Sequence, residues 1–135
     1  MKLRRQLAWF AAGGVIGFVV DAGILHGLVN GMQWNPYAAR VLSFLIAASV
    51  TWGWNRTFTF AHRRHLRIGA EWSRWVTVMG GGALLNYAIY AVLVACVDMV
   101  HQWPVLGVAA GSAVAAVVNF CAARAVVFNG PEKAS

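Results

Sequence analysis

Acidic residues are scarce in this sequence: Asp21, Glu71, Asp98 and Glu132 are the full set, against eleven lysines and arginines. Hydrolysis or glycosyl transfer needs paired carboxylates, a metal cluster or an activated nucleophile. Four acids on separate segments do not easily converge. The histidines divide as well, His26 and His101 toward one side and His62 and His65 toward the other. The chain is therefore not expected to be an enzyme, nor to hold a metal or cofactor. Cysteine is scarce too. Cys96 and Cys121 fall near opposite ends of two apolar segments, most of a membrane thickness apart at roughly 1.5 Å per helical residue. A disulfide needs Cα atoms within about 7 Å, so both are expected to be free thiols filling small apolar spaces. A nucleotide-binding loop is also missing, since G-G-G-A-L-L-N at 80–86 lacks the G-K-[ST] ending.

Apolar residues are abundant, at 60% of 135. A soluble domain of this length cannot hide so much apolar surface, because small domains leave much of their surface in water. Segments of about 20 apolar residues cross a bilayer core of roughly 30 Å. Four such segments stand at 7–28, 37–54, 75–97 and 105–123. They predict an all-α membrane protein with four transmembrane helices. The first is too long for a signal peptide and is followed by three more. Lys2, Arg4 and Arg5 precede the first segment, Arg56, Arg63, Arg64, Arg67 and Arg74 follow the second, and Arg124 and Lys133 follow the fourth. The two other connections, G-M-Q-W-N-P and D-M-V-H-Q-W-P, contain no Lys or Arg. The positive-inside rule then places both termini and the central link in the cytoplasm. The net charge of +7 is a topology signal, and no nucleic-acid partner is expected.

The two halves share a design. Residues 51–60, T-W-G-W-N-R-T-F-T-F, align with 119–128, N-F-C-A-A-R-A-V-V-F, at an offset of 68 that also lays Gly13-Gly14 on Gly81-Gly82. Both halves run the same way through the membrane, as two parallel-repeat helical hairpins. The chain is expected to be one transmembrane domain, 1–135. Its first repeat runs about 7–60, a basic cytoplasmic link 61–74 lies along the interface, the second repeat runs about 75–128, and 129–135 form a short tail.

Small and polar residues recur every fourth position. Gly13, Gly17 and Asp21 share one helix face, as do Ser43, Ala47, Thr51 and Asn55, then Gly82, Asn86 and Tyr90, then Gly107, Gly111, Ala115, Asn119 and Ala123. Small residues let helix backbones approach closely where lipid supplies no hydrophobic force. Asp or Arg at a helix centre costs roughly 2.5–3.5 kcal/mol on insertion scales. The depths of Asp21 and Arg40 differ by roughly 8 Å at 1.5 Å per residue, within reach of an extended arginine, so the two are expected to pair. That pair either fixes helix register or serves transport. Asn55, Arg56, Asn119 and Arg124 fall at the cytoplasmic headgroup level, either as topology anchors or as groups that grip phosphate and hydroxyls.

In G-G-V-I-G-F-V-V-D-A-G of the first segment and in the paired endings N-R-T-F-T-F and N-F-x-x-x-R-x-x-x-F, the chain resembles the GtrA family, from about residue 7 to 128. The family's ending is similar to N-F-x-x-N-R-basic-aromatic-x-F. Here the first copy has Thr51 and Trp52 in place of Asn-Phe, and the second has Ala123 and Ala125 in place of Asn and a basic residue. The resemblance implies a small four-span protein of the bacterial inner membrane that flips a polyprenyl-phosphate-linked monosaccharide to the outer leaflet for cell-surface polysaccharide. It also implies a functional link to glycosyltransferases. On that basis Arg56 and Arg124 would receive the phosphate, Asn55, Asn86 and Asn119 the sugar hydroxyls, and Asp21 with Arg40 would mark the route outward. A membrane adaptor for a lipid-dependent glycosyltransferase is one alternative. A small proton-coupled exporter using Asp21 is another. Four helices enclose a sugar poorly, so a homo-oligomer, most simply a dimer, is expected.

Overall fold

The structure, a computed structural model, describes residues 2–63 and 66–130. Arg64 and His65 of the expected link, and Glu132 and Lys133 of the tail, lie outside the described residues. The described residues form helices and connections, with no strand. Helix α1 spans Leu3–His26, α2 Pro36–Trp54, α3 Ile68–Cys96, α4 Asp98–Gln102 and α5 Pro104–Ala122. Pro36 and Pro104 open α2 and α5, where a missing backbone N–H breaks no helical bond. Asn35 caps α2, its Oδ1 accepting from the Tyr37 N–H at 2.8 Å.

Three stretches are long and apolar enough to cross a membrane, Leu3–Gly31, Ile68–Cys96 and Pro104–Val127. The expected fourth, α2, is less apolar, since it carries Arg40 near its start and Thr51, Trp52 and Trp54 at its end. Within the expected basic link 61–74, residues 68–74 are the first two turns of α3, which at 29 residues and 1.5 Å per residue is longer than a bilayer core is thick.

α1 packs chiefly on α2, and α3 chiefly on α5, with a smaller contact of α2 on α3. Glycine sets both close approaches. A Cβ on Gly13 would stand 2.7 Å from the Trp54 ring, and one on Gly111 would stand 2.7 Å from the Asn86 carbonyl oxygen. Gly17 faces Thr51, and Gly82 faces the Asn119 amide, as closely. The faces read from the sequence are thus the faces that meet.

The hydrophobic core lies at one end of the bundle. It comprises Phe60, Trp75, Phe120, Ala123, Val127 and Phe128, with Phe10 edge-on to Trp75 and Phe120. Two single π-helical turns, Asn55–Thr59 and Ala123–Val127, deliver the two phenylalanines. In each the closing N–H reaches back five residues, Phe60 to the Asn55 oxygen and Phe128 to the Ala123 oxygen, both at 2.8 Å. The rings then stack at 4.9 Å and 12°. The matched endings therefore share a local geometry and meet each other. Phe18 and Leu84, about three-quarters exposed, point away from the bundle, as lipid-facing side chains do. Cys96 and Cys121 are free thiols, but both are exposed and fill no space inside.

Candidate functional site

A cleft of about 350 Å³ opens between α1, α2, α3 and α5. Its apolar walls combine small residues of the close-packing faces, such as Gly17, Ala47 and Ala115, with the larger Phe18, Phe44 and Met79. Five polar side chains line it: Asp21, Thr51, Asn86, Ser112 and Asn119. The Asn86 amide donates to the Ser112 hydroxyl at 3.4 Å. Asn119 Oδ1 is buried and accepts no hydrogen bond, beside Gly82. In an apolar setting an unsatisfied polar atom is costly, so Asn119 is a polar group held inside the bundle against Gly82 without a donor among the described residues.

Asp21 and Arg40 do pair. Arg40 Nη1 donates to Asp21 Oδ2 at 2.6 Å, with the aspartate side chain 20% exposed and the arginine 58%. Asp21 Oδ1 remains buried without a donor. Arg40 also borders a second cavity of about 310 Å³ with Asn86, Tyr87 and Tyr90, and a third of about 580 Å³ with His26, Asn30 and Tyr37. Asn86 is shared by the first and second cavities, and Arg40 by the second and third. The three cavities thus form a string, with the ion pair where they meet.

The other expected site residues lie elsewhere, at the core end. Asn55 is 1% exposed, packed near Gly13, and its amide donates back to the Thr51 carbonyl at 2.8 Å. It does not line the cleft. Arg56 donates through Nε to Glu71 Oε1 at 2.7 Å, and its guanidinium lies 5.9 Å from the Trp52 ring centre. The Trp52 indole donates to the same oxygen at 3.0 Å. Glu71 is fully buried, and its Oε2 has no donor. A buried carboxylate needs such a partner, because the charge alone would be too costly to desolvate. Arg124 is half-buried on the last π turn and has no hydrogen bond or ion pair among the described residues. Arg63 and Arg74 instead serve that turn: they donate to the Phe128 and Val126 carbonyls at 3.1 and 3.0 Å. Cations at a helix C-terminus complement its dipole.

Of the seven expected site residues, Asp21, Asn86, Asn119 and Arg40 share the cavity string, while Asn55, Arg56 and Arg124 stay at the core end. Ser112, Tyr87 and Glu71 were not anticipated as site or partner residues. Ser112 and Tyr87 stand one position from residues of the marked helix faces, Gly111 and Asn86, so a wider face would have included them. Glu71 carries no sequence signal, because its partner lies on another helix, 15 residues away.

A family model described as GtrA/DPMS, transmembrane domain, matches residues 9–128. No curated protein matches the chain.

Proposed function

The chain belongs to the GtrA/DPMS transmembrane family, a multi-pass membrane family with a sugar-lipid-related role, and from that premise we propose that it flips a polyprenyl-phosphate-linked monosaccharide across the bacterial inner membrane. The observation that carries this reading is the convergence of Asp21, Asn86, Ser112 and Asn119 on one cleft whose remaining walls are mostly apolar. A polyprenyl tail prefers lipid, whereas its headgroup does not cross alone. The cleft supplies the headgroup with hydroxyl and amide partners, and the glycines and alanines between Phe18, Phe44 and Met79 leave room for it. Asparagine both donates and accepts, which suits sugar hydroxyls. Arg40, at the end of the cleft, offers a planar fork for phosphate oxygens once it exchanges Asp21 for them. Arg124, with no partner among the described residues, is the better candidate for first contact at the core end; Arg56 is engaged by Glu71.

The orientation follows from the basic residues at the core end, which the positive-inside rule assigns to the cytoplasm. An inside-negative potential then favours outward movement of one negative charge by about 2.3 kcal/mol per 100 mV. Flipping without covalent chemistry fits the placement of the acids, since Asp21 and Glu71 each neutralise a different arginine. The same engagement of Asp21 speaks against a cation exporter, whose exchange site must carry a free negative charge. Product would pass to a glycosyltransferase, and a second copy of the chain would close the open side of the cleft.

Purified protein in liposomes containing a polyprenyl-phosphate hexose tests the reading, with headgroup accessibility to an external reagent as the readout. Exchange by wild type, reduced at least tenfold in Asp21→Asn and Asn119→Ala and restored by an Asp21→Arg/Arg40→Asp swap, is the expected result. Exchange no faster than in protein-free liposomes would overturn it and favour the adaptor.

A further inference from the structure

The cavity of about 580 Å³ at the α1–α2 connection, the end of the bundle away from the aromatic core, is distinct from the cleft and is linked to it through Arg40. Its polar lining is Arg40, His26, Asn30 and Tyr37, and its apolar lining includes Leu25 and Val29. We propose that it is a second binding site, for the phosphate-ester headgroup of a polyprenyl lipid after transit, and this rests on the reading above.

The side chains form a set of donors. Arg40 spends one N–H on Asp21 and is 58% exposed, leaving most of its five donors free. His26 and Asn30 stand one turn apart, and the Asn30 amide lies 3.0 Å from His26 Nδ1. With Asn30 donating to Nδ1, the ring proton sits on Nε2, a further donor. The π-helical turn Gly27–Gly31 carries Asn30 beyond the end of α1 and so places it over the same cavity. No carboxylate lines this cavity, and the nearest, Asp21, is held by Arg40. Free donors with no anion among them select an anion. Leu25 and Val29 beside them favour an anion carried on a prenyl chain over one from water. The volume falls within the roughly 300–1,000 Å³ of ligand pockets.

Arg40 borders this cavity and also ends the cleft. A phosphate leaving the cleft would therefore draw Arg40 from Asp21 and be passed to His26. The released Asp21 charge would then repel a return.

The test measures binding, separately from flipping. Full-length protein in nanodiscs is titrated with farnesyl phosphate, uncharged farnesol and inorganic phosphate. Saturable binding of farnesyl phosphate is expected, weakened about tenfold by His26→Ala and by Asn30→Ala, the scale of one lost charge-assisted hydrogen bond. His26→Gln, which keeps a donor near the Nε2 position, should hold within about threefold of wild type. Binding indifferent to both alanine variants overturns the site, even where flipping is intact. Equal binding of farnesol shows an apolar crevice, and equal binding of inorganic phosphate shows a free-anion site; either result also overturns the proposal. His26-dependent binding in a protein that does not flip lipid leaves the site standing and removes the transport reading instead.

Discussion

Replacing Arg56 with alanine leaves the Glu71 carboxylate fully buried, with the Trp52 indole its one remaining donor among the described residues. Replacing Glu71 instead leaves a guanidinium that is already 27% exposed and lies over Trp52, so that water can reach it. The two halves of one ion pair should therefore be unequal. Stranding a buried charge costs about 3–5 kcal/mol, which sets the expectation for Arg56→Ala. Glu71→Ala removes two hydrogen bonds but strands nothing fully buried, and should cost about 2 kcal/mol. In the double variant neither charge remains, so the loss should fall short of the sum by roughly 1.5–3 kcal/mol. Reversible denaturant unfolding in mixed micelles, followed by tryptophan fluorescence, measures all three. Equal losses, or a coupling below about 0.5 kcal/mol, would refute the assignment of Glu71 as the buried anchor. Arg56→Ala is expected to act on transport only through stability, by loosening the packing of the Asn55–Thr59 turn on α3.

The same unfolding assay separates the glycines. Gly111→Ala drives a methyl group against the Asn86 carbonyl and should destabilise by about 1–2 kcal/mol, the overpacking cost net of helix propensity. Gly81→Ala, with nothing within 4 Å, should be stabilising by up to about 1 kcal/mol. Loss of the fully buried Phe128 ring should cost about 3–5 kcal/mol. Phe58→Ala, 38% exposed, stacked on Trp9 at 4.9 Å and tilted against Trp54 at 4.6 Å, should cost about 0.5–1.5 kcal/mol, and a thermal melt would order the two.

The Asp21–Arg40 pair and the four small-residue faces were legible because both are consequences of helix period and of the cost of charge in lipid. Those constraints act along one chain segment at a time. Asn55 and Asn119 show the limit. Both lie on a small-residue face, yet one packs against α1 near Gly13 and does not line the cleft, whereas the other packs beside Gly82 and does. No local rule separates them. The start of α3 shows another limit. I-G-A-E-W-S-R has too much polarity to read as membrane helix, and its helical form brings Glu71 to Arg56 and Trp52 and Arg74 to the Val126 carbonyl.

Composition, hydropathy and charge distribution by themselves determined that this is an all-helical membrane protein, roughly where its long apolar segments run and which faces they present. Those properties follow from the transfer of side chains out of water, which each segment undergoes independently. Tertiary structure alone decided which polar groups share a cavity, and which arginine is engaged and which has no partner among the described residues. Asp21 and Arg40 lie on one hairpin, whose short turn fixes their relative depth; Arg56 and Glu71 do not, and their pairing depends on a helix offset and rotation that no periodicity within a single helix encodes.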